Sequence, residues 1–206
     1  MRQLVMVKRP KYQEAPIELR EQVWAAGSFT PLQLFRVAAW KSARGLASLT
    51  LNTEQDITDR TSGALDAIRS WKGVDVLRQE VDWDDYRQSV ATAMGVKGET
   101  GLLALSGFGH PMASAFLAIL APEAFPVIDK WTVKAVYGRD LTIGLQKAAV
   151  YTHFARRLIE VAPSFDRELS TVHAVDKAVM EAAMEWDRQD AGCQPLPFEP
   201  VAVPKS

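Results

Sequence analysis

The stretch from Gly101 to Gly138, GLLALSGFGHPMASAFLAILAPEAFPVIDKWTVKAVYG, restricts the fold of this chain more than any other part of it. Leu102, Leu103 and Leu105 run at helical spacing into Gly107-Phe108-Gly109. Two glycines around one residue predict a turn too tight for side chains, because glycine reaches positive φ at no steric cost. Pro111 suits the first turn of a helix, where a missing amide hydrogen is no loss. That helix is expected from Met112 to Leu120, with Met112, Ala115, Phe116 and Ile119 packed against the three leucines. Phe125-Pro126-Val127-Ile128 reads as a short extended piece. Asp129 follows it and is expected to cap a helix over Lys130–Tyr137.

The remainder reads as helices bounded by ordinary start and stop signals. Ala15-Pro16 opens one that Gly27 stops, and Thr30-Pro31 opens a second that ends at Trp40-Lys41. Thr53 caps a third with Ile57, Leu65 and Ile68 turned inward, and Asp82 caps a fourth through Met94. Thr100 begins a short helix into Gly107. A long amphipathic helix runs through Val161, and Thr171 caps a last one to about Asp187. Leu4–Val7 is the other extended candidate. No repeat and no βαβ alternation is visible. The expected fold is all-α, a multi-helix bundle over residues 1–190 of two helical subdomains with a cleft, hinged near 95–100 or 138–145. Residues 191–206 form a Pro-rich tail.

Composition narrows the chemistry. A single cysteine, Cys193, excludes an intrachain disulfide, a four-cysteine iron–sulfur cluster and a zinc site built on cysteine pairs. His110, His153 and His173 stand at no metal-ligand spacing from one another, so neither a metal nor any other cofactor is expected. No apolar run approaches membrane-spanning length and no secretory signal is visible, so a cytoplasmic monomer that avoids membranes is expected. The net charge of -1 does not favour a nucleic-acid partner. Its distribution does: residues 130–157 carry Lys130, Lys134, Arg139, Lys147, Arg156 and Arg157 against Asp140. Solvated helix faces explain the same pattern.

Asp129 has two compatible readings. Its carboxylate can cap the following helix, or it can stand at a pocket mouth, stabilising positive charge or activating water. Consecutive amides at the Gly107–Gly109 turn, followed by a helix N-terminus, can hold an anion. Trp40 and Lys41 can offer a stacking ring and a cation, or be a core tryptophan and a residue favouring the helix C-terminus. Trp131 can wall a pocket or be ordinary core. His153 and His173 read as isolated, and Ser114 has no setting for a nucleophile.

The layout of Gly107, Gly109 and Asp129 resembles the helix-hairpin-helix DNA base-excision glycosylases (HhH-GPD), specifically their cluster-free branch acting on oxidised guanine and alkylated bases. The motif match covers roughly residues 100–138. The resemblance implies an all-α fold, a DNA duplex carrying a lesion as partner, and hydrolysis of an N-glycosidic bond with Asp129 as the catalytic residue. It implies a phosphate grip by Gly107, Phe108, Gly109 and His110, with Lys130 and Lys134 adding charge, and a base pocket near Trp131, Trp40 and Lys41. The chain departs from the pattern where bifunctional members carry a Schiff-base lysine: His110 and Pro111 stand there, so monofunctional chemistry is implied. The alternatives are an inactive nucleic-acid-binding or scaffold protein of the same fold, and a helical interaction protein whose Pro-rich tail docks a partner.

Overall fold

Thr30, Thr53, Asp82, Asp129 and Thr171 each cap the helix expected to follow them. Their side-chain oxygens accept from the amides of Gln33, Asp56, Asp84 and Asp85, Trp131, and Ala174 respectively. The computed structural model describes residues 15–41, 46–137, 148–165 and 168–189. In chain order its helices are α1 (Leu19–Ala26), α2 (Pro31–Lys41), α3 (Leu46–Leu49), α4 (Glu54–Ala67), α5 (Trp83–Met94), α6 (His110–Leu120), α7 (Lys130–Tyr137), α8 (Ala148–Val161) and α9 (Val172–Gln189). The described residues are all-α, with no strand among them. None of these helices is long and apolar enough to cross a membrane. Leu4–Val7, the 138–145 hinge candidate and the 191–206 tail lie outside the described residues.

Helix α6 is the centre. Every residue from Met112 to Leu120 is buried, as a helix apolar on all sides requires. Helices α1, α2 and α5 pack around it, and Phe116 meets Phe29 with ring centroids 4.4 Å apart. A second cluster joins Trp71, Tyr86 and Phe125, with Tyr86 stacked 6.5 Å from Tyr151 of α8.

One expectation around α6 needs correction. Thr100 to Gly107 contains no α-helix; only a 3-10 turn, Leu102–Ala104, forms. Glycines at both ends leave too few residues for two α-turns. The loop before it is held by local bonds: Thr100 Oγ1 accepts from the Val96 amide at 3.0 Å, and the Gly98 amide donates to the Leu103 carbonyl. The leucines and α6 nevertheless share one core as expected.

Phe125–Ile128 is extended, as expected, and pairs with no strand among the described residues. From Ala121 to Ile128 every residue except Glu123 is buried, and buried backbone polar groups need partners. Side chains supply them. Trp24 Nε1 donates to the Leu120 carbonyl at 3.0 Å, Tyr86 Oη to Ala124 at 3.0 Å, and Tyr151 Oη to Pro126 at 2.6 Å. The Val127 amide donates to Asp176 Oδ2 at 2.6 Å and the Ile128 amide to Ser114 Oγ at 2.8 Å. Arg20 grips Glu123 through two bonds, at 2.6 and 3.1 Å. Five helices thus hold one extended segment, and Asp129 is its end. We expect Tyr151→Phe, which orphans the Pro126 carbonyl, to cost about 1–3 kcal/mol in urea unfolding.

Candidate functional site

At the end of that segment a cavity of about 430 Å³ opens, within the ~300–1,000 Å³ span of small-molecule sites. Ile17, Trp40, Val127 and Met180 form its apolar wall, and Lys41, Asp129, His173, Asp176 and Lys177 bring charge to it. The structure therefore brings Asp129 together with Trp40 and Lys41, which lie far from it in sequence. Lys41 is the last residue of α2, and Asp129 directly precedes α7.

Asp129 is engaged on both oxygens. Oδ1 accepts from the Trp131 amide at 2.9 Å, and Oδ2 meets Lys41 Nζ at 3.4 Å. Its side chain is 27% exposed and that of Lys41 12%, so water screens this pair less than a surface pair. The cap and the pocket-mouth position are both occupied by this one carboxylate.

Asp176 stands deeper. It is buried on α9, and burial holds its carboxyl above the ordinary aspartate range. The hydrogen bond and charge of His173, the Val127 amide and the charge of Lys41 pull the other way. His173 Nδ1 lies 3.0 Å from Asp176 Oδ2, one turn earlier on α9. That oxygen already accepts the Val127 amide and so faces Nδ1 as an acceptor, an arrangement that favours the tautomer with its hydrogen on Nδ1. Trp40 packs edge-on against the His173 ring at 6.1 Å.

The raised Asp176 value has a definite linkage sign. Below the ordinary aspartate value of 3.8 both folded and unfolded states are protonated, and the contribution of this group to stability is fully present. As pH rises through the higher folded value, the unfolded chain ionises first and that contribution is lost. Melting profiles of wild type and Asp176→Asn should therefore differ most in favour of wild type in acid. The difference should shrink as pH climbs from about 4; a difference that grows with pH contradicts the assignment.

The other expected site residues distribute unevenly. Trp131 does not line the cavity. Two residues turn a helix by about 200°, which carries the indole away from Asp129. Its ring instead lies under Lys130 Nζ at 4.5 Å and Lys134 Nζ at 5.8 Å, an aromatic platform with two cations. Phe108 is core, 4% exposed, so it anchors the hairpin and has no surface for a ligand. Gly107 has φ 82 and needs to be glycine. Gly109 is extended, at φ -121, and an added Cβ would meet only Pro111 Cδ at 3.7 Å; it is not demanded by the turn. His110 begins α6 and is partly buried. Of the basic stretch on α8, Arg156 packs over Trp83 and Arg157 pairs with Glu160.

Four residues matter here that sequence either set aside, as it did Ser114 and His173, or passed over, as it did Asn52 and Asp176. Ser114 links the hairpin helix to the residue before Asp129, through its bond from the Ile128 amide. Asn52 clamps the hairpin itself, since its side chain both donates to and accepts from the Ser106 backbone, at 3.0 and 2.7 Å. His173 and Asp176 do carry a readable signal: a histidine and an aspartate three apart at a helix start share a face. No group of three or more His, Cys, Asp or Glu side chains suited to a metal ion occurs among the described residues.

No protein-family model matches this chain, and no curated protein or solved structure matches it.

Proposed function

We propose that this protein is a monofunctional DNA base glycosylase of the helix-hairpin-helix type, which hydrolyses the N-glycosidic bond of a damaged base. The observation that carries the reading is the meeting of Asp129, Lys41 and Trp40 at one cavity. Those are the three chemistries the reaction needs: a carboxylate for a cationic sugar, a cation for a neighbouring phosphate, and a ring on which a base can stack. A rigid extended segment delivers Asp129, and preorganised charge is what stabilises a transition state without reorganisation. Both Asp129 oxygens are occupied, which suits an electrostatic role facing the developing oxocarbenium ion. The platform of Lys130, Trp131 and Lys134 at the head of α7 offers a nearby grip on the phosphate backbone. His110 and Pro111 supply no amine at the hairpin, so no Schiff base forms there.

The test is base release from duplexes carrying 8-oxoguanine, 7-methylguanine, hypoxanthine or uracil, followed by alkali to cleave abasic sites. Release from at least one duplex is expected, with no strand cleavage before alkali. A second reading, an inactive nucleic-acid-binding protein of the same fold, draws on the 3-10 turn that replaces the first hairpin helix and on the missing hairpin cation. Salt-sensitive retention of every duplex without release of any base would favour it.

A further inference from the structure

The cavity contains a second pair of groups that the reading above leaves unused. His173 and Asp176 sit on the first turns of α9 and face the same space as Asp129. Asp129 already carries one contact on each oxygen, from the Trp131 amide and from Lys41. Asp176 is buried, and its Oδ2 is engaged by both the Val127 amide and the imidazole. His173 differs. Its Nδ1 is held by Asp176, while its Nε2 has no hydrogen-bond partner among the described residues and is not shut off from solvent. The ring is clamped by the Trp40 edge, and its own amide is tied to the Pro122 carbonyl at 3.0 Å.

We propose that His173 is the general base that activates the attacking water, and that Asp176 is the positioning residue that holds its tautomer and orientation. This rests on the glycosylase reading. An imidazole whose Nδ1–H faces a carboxylate presents a lone pair at Nε2, the arrangement a base requires. Water gives its proton to Nε2 as its oxygen bonds to the sugar carbon. The carbon–nitrogen bond breaks with its electron pair on the departing base, and the imidazolium passes the proton to that base. The net change is addition of one water across the glycosidic bond. Asp129 stabilises the cationic sugar throughout, so the two carboxylates serve different partners. The charged groups facing His173 are Asp176 and Lys177 from α9, Lys41 from α2 and Asp129 at the head of α7.

The experiment measures single-turnover base release against pH for wild type, His173→Gln and Asp176→Asn. It uses whichever of the four lesion duplexes the wild type cleaves, alongside ¹⁵N spectra of the histidine rings. His173→Gln should lower the release rate by on the order of 100-fold or more and flatten the rise of rate with pH on the acid side, with duplex affinity unchanged. Asp176→Asn should lower the rate while shifting the imidazole towards the Nε2–H form, since an asparagine amide can donate to Nδ1. Thermal melts confirm that each variant is folded. Wild-type rate and pH profile in His173→Gln overturn the base assignment and leave the glycosylase reading intact. Wild-type spectra with the hydrogen on Nε2 overturn it as well. No release by the wild type from any duplex removes the reading and the base role together.

Discussion

Asp129→Asn is expected to lower base release by on the order of 10²–10³-fold while leaving duplex affinity and fold unchanged. Asparagine keeps the shape of the side chain and the oxygen that accepts the Trp131 amide, so the cap on α7 survives. What disappears is the negative charge beside Lys41. In the ground state that charge meets a neutral sugar and matters little. In the transition state it faces a cation across a partly desolvated cavity, where Coulomb terms are strong. The loss should therefore fall on the rate of the chemical step rather than on binding. Single-turnover release and a gel shift at two salt concentrations separate the two. Equal release rates for the variant and wild type would rule out any role for this carboxylate in the chemistry.

The largest structural effect is expected from Gly95→Ala, which should destabilise the fold by about 3–5 kcal/mol. Gly95 ends α5 at φ 70 and ψ -156, a region in which only glycine is comfortable. An added Cβ would stand 2.1 Å from the Thr100 carbonyl oxygen and 2.3 Å from its carbon. Those are backbone atoms, so no rotamer change relieves the overlap. The loop also carries the bonds from Val96 to Thr100 and from Gly98 to Leu103, which lead the chain into the hairpin. Gly98→Ala is the control. Its φ is 78, but nothing lies within 4 Å of the new atom, so it should cost about 1 kcal/mol. Urea midpoints for both variants decide the matter: similar losses would mean that the loop opens freely to accept the methyl group.

Much of the fold was legible because the signals were local. A threonine or aspartate before an apolar-periodic run caps a helix wherever that helix later packs, and five such caps formed. The apolar run from Met112 to Leu120 could be satisfied only by complete burial, and it became the central helix. The hairpin was legible in part. Gly107 turns as its residue type demands, yet Gly109 does not, because a glycine's freedom is a permission that the chain need not use. The helix expected before the hairpin shrank to a 3-10 turn for want of residues between Gly101 and Gly107.

The site divided along the same line. Asp129 was recognisable from its place before α7, and as a cap it needed only its neighbours. Its meeting with Lys41 depends on how the end of α2 packs against the head of α7, and no local spacing encodes that. Of the two readings of Trp131, the pocket wall is not taken at this cavity, because closeness in sequence to Asp129 is opposed by the turn of the helix. His173 looked isolated because its partner lies on the next turn, and because Asp176 is valuable there only once Val127 has been buried against it. By itself, then, the order of residues determined which segments are helical, where they begin, and which stretch must lie inside, since these follow from backbone capping and side-chain solubility. The tertiary structure alone decided that an extended segment without a sheet would be held by side chains from five helices, and that two acids, two lysines and a histidine would share one cavity. Those contacts join positions dozens of residues apart, and their energies exist only after the core has closed.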